Sequence, residues 1–148
     1  MPEPKLTYTQ LDRSAHKAFL IESPSLERLY INSALALTDQ LVKLELIQDH
    51  VKRTIAAESD TRLELMVLWL NQIIVAFELD NFLSRRIVFS QFDGKTINAT
   101  CFGQHYSAIQ HGHVDKLKQL TNAQLEVGTC PEPQQGFYAK VTTLPQVH

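Results

Sequence analysis

Cysteine and glycine are scarce in this sequence, and neither forms a recognisable catalytic or ligand-binding motif. The 148 residues include two cysteines, Cys101 and Cys130, and five scattered glycines. The cysteines are far apart and lie in no CxxC motif, so we expect two free thiols in a reducing cytosol, with one disulfide as the alternative. The glycines form neither GxxxxGK nor GxGxxG. Phosphate-binding loops of these two types are therefore excluded.

Blocks of positive charge and membrane-length apolar runs are also missing. The 14 basic residues against 16 acidic residues give a net charge of −2, without a basic cluster. This balance does not predict tight binding to nucleic acid through phosphate neutralisation. The longest apolar run is interrupted at Asn71-Gln72 and is too short to cross a bilayer. The N-terminal residues lack a basic region followed by an apolar one, so we expect a cytoplasmic protein without a signal peptide.

The stretch Asp60–Asp80 dominates what the sequence does contain. Apolar residues recur in it at three- and four-residue spacing, which is typical of the buried face of a helix. These residues are Leu63, Met66, Leu70, Ile73, Ile74 and Phe77. Val67, Leu68 and Trp69 widen this face, so we predict a core helix that is buried on more than one side.

Residues suited to capping mark the limits of two helices. Ser59 or Asp60 is expected to cap the N-terminus of the helix just described, which should end near Asn81. A first helix is expected to begin at Ser23–Ser25, because a serine hydroxyl can accept hydrogen bonds from the free backbone N–H groups of the first turn. This helix should continue to about Leu41.

The segments outside the two helices are mainly strand-like in composition or alternation. They are Lys5–Gln10, Lys17–Glu22, Val51–Ala57, Arg86–Phe92, Thr96–Gly103, Lys116–Val127 and Phe137–Thr143. Asp93-Gly94 predicts a type I′ hairpin turn, and His105–Asp115 a polar loop. Because strands and helices do not alternate regularly, we predict a single α+β domain over residues 1–148. The expected architecture is a two-layer sandwich, with a mostly antiparallel sheet packed against two main helices.

Several motifs follow one another in a definite order along the chain. Ser25–Leu37 reads SLERLYINSALAL, and Asp60–Ile74 contains W-L-N followed by Q-I-I. Gly103-Gln104, Gln110-His111 and Leu117–Val127 come next. This order resembles the archease family, whose two helices are similar to T-L-E-E-L-F-x-x-A-A-L-A-L and D-x-E-x-L-L-x-x-W-L-N-E-L-L. The family has G-E and R-H where this chain has Gly103-Gln104 and Gln110-His111.

The resemblance implies an accessory protein and not an enzyme. Members of the family assist the GTP- and manganese-dependent RNA ligase of the RtcB type, which joins tRNA halves in tRNA splicing. We therefore predict an adaptor whose partner is a protein, an RNA ligase in this interpretation, with no direct binding to nucleic acid or membrane. Candidate contact residues at positions that match the family's motifs are Asp60, His111, Lys118 and Thr121.

The chain departs from the family at the residues that would hold a divalent cation. The family's N-terminal signature is similar to D/E-H-T-A-D, and it stands here as Asp12–His16, so His16 replaces the last Asp. The Asp of the family's C-terminal V-x-x-D-I is replaced by Leu144. Because calcium and magnesium need several hard oxygen ligands, we predict that the fold persists without the family's calcium-type site. Asp12 and His16 remain as candidate residues for a divalent cation, and no other cofactor is predicted.

Four histidines give an alternative prediction. His111 and His113 would project to the same side of an extended segment. Together with His105 and His16 they could hold zinc or manganese, which imidazole suits better than it suits calcium. The alternative is therefore a small metal-binding protein or metal-dependent enzyme that uses these four side chains.

Overall fold

The computed structural model describes residues 6–11, 17–131 and 135–145. Its elements, in chain order, are β1 (Thr9–Gln10), β2 (Lys17–Ser23), α1 (Leu26–Leu41), β3 (Val51–Glu58), α2 (Arg62–Asp80), β4 (Phe82–Phe92), β5 (Thr96–His105), α3 (Ala108–His111), β6 (Leu125–Thr129) and β7 (Phe137–Thr143). Short 3-10 turns occur at Leu44–Leu46 and Asn122–Gln124. The predicted α+β class with two main helices is confirmed.

The strands form two antiparallel sheets. One has the order β1-β2-β7-β6 and the other the order β3-β5-β4. In the first sheet, β2 pairs with β7, and Lys17 lies opposite Thr143. An early strand and the last strand therefore lie side by side in one sheet. Helices α1 and α2 each contact strands of both sheets and each other. The core therefore lies around the two helices, between the sheets.

Helix α1 begins where the sequence predicted. The Ser25 hydroxyl accepts a hydrogen bond from the Arg28 backbone N–H at 3.2 Å, which satisfies a donor of the first turn. The helix ends at Leu41, because Val42 turns to an extended conformation while its N–H still donates to the Thr38 carbonyl at 2.9 Å.

The N-cap of helix α2 lies one or two positions after the predicted Ser59 or Asp60. Thr61 is the N-cap, and its hydroxyl accepts from the Glu64 backbone N–H at 3.2 Å. Ser59 instead donates its hydroxyl to the Glu64 carboxylate at 2.9 Å, and Asp60 stays exposed. The helix ends at Asp80, next to the predicted Asn81, because Asn81 is the C-cap and adopts the left-handed conformation (φ 57°) that terminates helices.

The buried face of α2 holds the two helices together. Trp69 is fully buried, and its indole N–H donates to the Tyr30 carbonyl of α1 at 2.8 Å. The same ring packs edge-on against Phe89 of β4, with centroids 5.4 Å apart. The contacts of Trp69 confirm that the helix is buried on more than one side. Leu68 is 43% exposed, so its predicted place on the buried face is wrong.

The β4–β5 hairpin is confirmed, but the predicted type I′ turn is wrong. Such a turn needs positive φ at both central residues, and here only Gly94 (φ 88°) has it, not Asp93. The Asp93 carboxylate accepts from the backbone N–H groups of Lys95 (2.9 Å) and Thr96 (2.7 Å), and these bonds fix a longer loop. Strand β4 also starts earlier than predicted, directly after the end of α2 at Asn81.

The predicted strand Lys116–Val127 is mostly wrong. Only its last three residues belong to β6, which continues to Thr129. The Asn71 side chain of α2 explains this difference, because its amide donates to the Leu120 carbonyl at 2.9 Å and accepts from the Leu120 N–H at 2.6 Å. The backbone groups that a neighbouring strand would bond are thus already satisfied by a helix.

Both cysteines are free thiols, as expected. Cys101 is fully buried in β5, on the side of the sheet that faces the core. Burial raises the pKa of its thiol to about 11, so this residue acts as a small apolar side chain.

Candidate functional site

The region of the family's metal residues is partly visible. Asp12 and His16 lie outside the described residues. The C-terminal position, Leu144, is described, and its carbonyl accepts from the Lys118 N–H at 2.9 Å. Leu117 also forms an isolated bridge with Pro145, so the segment after β7 is held against the segment before β6. An alkyl side chain at Leu144 offers no ligand to a cation, and the loss of the family's calcium-type site stays a prediction.

A polar groove adjoins this region and borders the end of α1. We call it the α1 groove, and it has a volume of about 430 Å³. Its lining residues are Tyr8, Gln10, Lys17, Asp39, Gln40, Leu41, Val42, Lys43, Leu46, His111 and His113. A smaller cavity of about 280 Å³ shares Lys17 and Gln40 with it and extends to Asp115 and Pro145. Each of the two cavities is lined by side chains of both signs of charge.

A hydrogen-bond network shapes one wall of the α1 groove. The Tyr8 hydroxyl donates to the Asp39 carboxylate and accepts from the Gln40 amide at 2.9 Å. Asp39 also accepts from the Leu44 backbone N–H at 2.9 Å, which fixes the turn after α1. Burial, followed by the hydrogen bond and charge of Asp39, raises the pKa of Tyr8 above its ordinary value. Tyr8 therefore stays protonated and anchors the N-terminal segment as a neutral donor.

His111 has a structural environment that bears on both of its predicted roles. The side chain is only 6% exposed and stacks on Tyr106. Its Nδ1 accepts from the Ser107 backbone N–H at 2.9 Å, and its Nε2 lies 2.9 Å from the Gln104 side-chain oxygen. Both ring nitrogens are thus occupied within the chain. Neither ring nitrogen of His111 is available to a metal ion in this conformation, and its role as a contact residue stays a prediction.

Gln104 is the centre of this cluster, and sequence reasoning did not assign it a role. Its oxygen also accepts from the Gln48 backbone N–H at 3.1 Å, and its amide donates to Gln110 at 2.6 Å. The two glutamines that replace the family's G-E and R-H charges therefore lie against each other. The sequence feature that indicates this contact is the presence of glutamine at both positions. Two neutral amides can form a hydrogen bond where an acid and a base would form an ion pair.

His105 and His113 do not form a metal-binding cluster with His111. His113 is exposed and pairs with Asp115 at 2.9 Å, while the His105 ring packs against Phe82. Within the described part of the chain, no three His, Cys, Asp or Glu side chains are placed to hold a metal ion. A zinc site built from His105, His111 and His113 is therefore not supported, and His16 lies outside the described residues.

The remaining contact candidates are exposed but do not form one patch. Lys118 and Thr121 flank Leu120, which is fastened to Asn71 in the middle of α2. Asp60 lies two positions before the same helix and eleven positions before Asn71, a separation of about 16 Å at the rise of an α-helix. Their role as contact residues stays a prediction. The sequence shows Asn71 in the W-L-N motif and at the break in the longest apolar run, and an amide within an apolar helix face is itself a signal of a specific hydrogen bond.

Comparison with known proteins assigns this arrangement to a family. Residues 8–143 match the model of the Archease protein family (MTH1598/TM1083). The chain belongs to the archease family. It is 26% identical over 136 residues to the protein archease of Methanosarcina mazei, covering 86% of this chain and 90% of that protein. The protein archease of Methanosarcina barkeri is 27% identical over 129 residues, with coverage of 81% and 85%.

A solved archease-like structure supports the fold. The solution structure of Methanobacterium thermoautotrophicum protein 1598 superposes with a TM-score of 0.70 at 19% identity, covering 91% of this chain and 96% of that one. At this identity the likeness concerns the fold. Membership in the archease family supports an accessory-protein role for the chain. No helix among the described residues has the length and apolar character needed to cross a membrane.

Proposed function

We propose that this archease-family chain is a non-enzymatic accessory protein that binds an RNA ligase of the RtcB type in the cytoplasm. In this role it assists the GTP- and metal-dependent activation of the ligase during tRNA splicing. The observation that carries the proposal is the family match over residues 8–143, nearly the whole chain. The chain contributes a binding surface, and the ligase contributes the chemistry.

We assign the contact to the α1 groove and the residues beside it. Lys17 follows the Asp12–His16 segment directly and lines both cavities. Lys43 and the exposed His113 line the α1 groove as well. An open, polar surface of mixed charge is typical of interfaces that assemble and separate, because charged groups at their rim steer the encounter.

Ligase turnover tests this proposal directly. Added chain should increase the multiple-turnover rate of a purified RtcB-type ligase and should co-purify with it. Lys17→Glu reverses a charge in the groove and should reduce both effects, whereas Lys95→Glu, an exposed reversal in the β4–β5 loop, should leave them unchanged. Unchanged turnover with the wild-type chain, at concentrations that saturate binding, would overturn the assistance role.

We also propose that this chain has lost the family's cation site. The wild-type chain should therefore retain no stoichiometric calcium after dialysis, measured by elemental analysis. Because the resemblance assigns carboxylates to positions 16 and 144, the double variant His16→Asp/Leu144→Asp should gain calcium binding in a titration. Calcium bound equally by the wild-type chain would contradict the loss of the site.

A further inference from the structure

Strand β3 lies at an open edge of its sheet. It is the terminal strand in the order β3-β5-β4, and no other strand of the described residues pairs with its free side. The pairing with β5 runs from Val51 opposite Gly103 to Glu58 opposite Thr96 without a register shift. An eight-residue strand with one free side is a template for pairing with another chain.

The hydrogen bonds identify which groups face the open side. Ser59 donates its backbone N–H to the Lys95 carbonyl at 2.9 Å, in the same register as the strand. In an antiparallel pair, residues that exchange both backbone bonds alternate with residues that exchange none. The odd-numbered residues of β3 therefore bond β5. The even-numbered residues direct their N–H and C=O groups outward, and all four are exposed: Lys52, Thr54, Ala56 and Glu58.

These four residues are complementary to themselves in one register. We propose that β3 pairs antiparallel with β3 of a second copy of this chain, around a twofold axis at Ile55. In this register Lys52 lies opposite Glu58 of the partner subunit, and the symmetry repeats the pair on the other side. Thr54 lies opposite Ala56 of the partner subunit, again twice. The pairing joins the two three-stranded sheets into one continuous sheet of six strands.

Charge complementarity favours a second copy as the occupant of this edge. Neither Lys52 nor Glu58 forms a salt bridge with another described residue of its own chain. Directly opposite charges on neighbouring antiparallel strands attract, while like charges repel. Shifting the axis to Thr54 or Ala56 breaks both Lys52–Glu58 pairs. The register around Ile55 is thus the one in which every outward residue has a partner and both charges are matched.

Charge reversal tests the proposal through a sedimentation-equilibrium measurement of self-association. Wild-type chain should dimerise reversibly, and the dimer should weaken as salt is raised. Lys52→Glu and Glu58→Lys each place like charges opposite one another twice, so each should raise the dissociation constant about tenfold or more. The double variant Lys52→Glu/Glu58→Lys restores opposite charges and should return the dissociation constant to near the wild-type value.

Mixing the two single variants gives a sharper outcome. In an equimolar mixture of Lys52→Glu and Glu58→Lys chains, the mixed dimer has opposite charges at both pairs. It should therefore be more abundant than either homodimer. Thr54→Pro removes an outward N–H that β5 does not use and should abolish the dimer, with circular dichroism confirming the fold. Lys116→Glu, exposed and outside the sheets, is the matched control and should leave the dissociation constant unchanged.

Three results would overturn the proposal. A wild-type chain that remains monomeric into the millimolar range would exclude the interface. Single reversals with the same effect as Lys116→Glu would exclude the charge pairs. A double variant no tighter than the single variants would exclude this register.

Discussion

Asn71 shows how one side chain decides the path of a segment that is distant in sequence. Its carboxamide gives Leu120 both a donor and an acceptor, as a neighbouring strand would. The segment before β6 is therefore fixed against α2 and stays out of the sheet. The local composition of this segment predicts a strand. Nothing within the segment reveals that Leu120 forms its hydrogen bonds with Asn71, a residue 49 positions earlier.

Substitution of Asn71 tests this role. Asn71→Leu keeps the branched shape of the side chain but leaves the N–H and C=O of Leu120 without these partners. The free energy of unfolding should fall by about 2–3 kcal/mol, because partly buried polar groups lose their bonds. Urea unfolding followed by circular dichroism measures the change. The adjacent exposed Gln72→Leu should change stability by less than about 0.5 kcal/mol, and an equal loss in both variants would contradict the assignment.

Within single elements, the sequence predicts the helices whose apolar residues recur at regular spacing. It does not predict caps or buried polar residues that depend on how distant segments approach each other. Helix α2 is predictable because its apolar spacing lies within its own residues. Its cap is not, since Ser59, Asp60 and Thr61 are all capping residues and only the approach of the chain selects Thr61. The buried position of His111 is equally hidden, because it depends on Gln104 of another element.

The β4–β5 loop carries a pH-dependent contribution to stability. The backbone N–H of Lys95, then that of Thr96, lowers the pKa of the Asp93 carboxyl below its ordinary value. A carboxyl with a lower pKa in the folded state stabilises the fold above its unfolded pKa, and this contribution is lost as pH falls through the folded pKa.

Asp93→Asn should remove this contribution. The amide can still accept hydrogen bonds but does not titrate, so the unfolding free energy of the variant should depend less on pH than that of the wild type in the acidic range. Urea titrations at a series of acidic pH values measure the difference. Asp60→Asn, at an exposed position before α2, is the control. Identical pH profiles for the wild type and Asp93→Asn would show that the loop bonds do not depend on ionisation.

At the scale of the molecule, the separation into two sheets depends on contacts between the ends of the chain. Strand β7 lies between β2 and β6, and it pairs with β2 along its whole length and with β6 from Phe137 to Val141. The β2–β7 partners are more than a hundred residues apart, as in the pair Lys17 and Thr143, so no local pattern predicts them. The fold class was predictable from element content, but the number of sheets was not.

Removal of β7 should therefore have a larger effect than its length suggests. A chain truncated after Gly136 loses the partner of β6 and the main partner of β2, so cooperative unfolding should disappear from the thermal circular dichroism profile. Lys140→Ala keeps the strand and changes an exposed side chain, so its midpoint should remain near that of the wild type. A truncated chain that still melts in one sharp transition would show that the helices and the β3-β5-β4 sheet fold independently.

Trp69 also gives the molecule an internal optical probe. It is the single tryptophan of the chain, it is fully buried, and it contacts α1 and β4 at once. Its emission should be that of an indole shielded from water, and it should shift to longer wavelength only when the two helices separate from the sheet. Because β3 pairing leaves these contacts in place, fluorescence follows the integrity of the core independently of whether the chain is alone or associated.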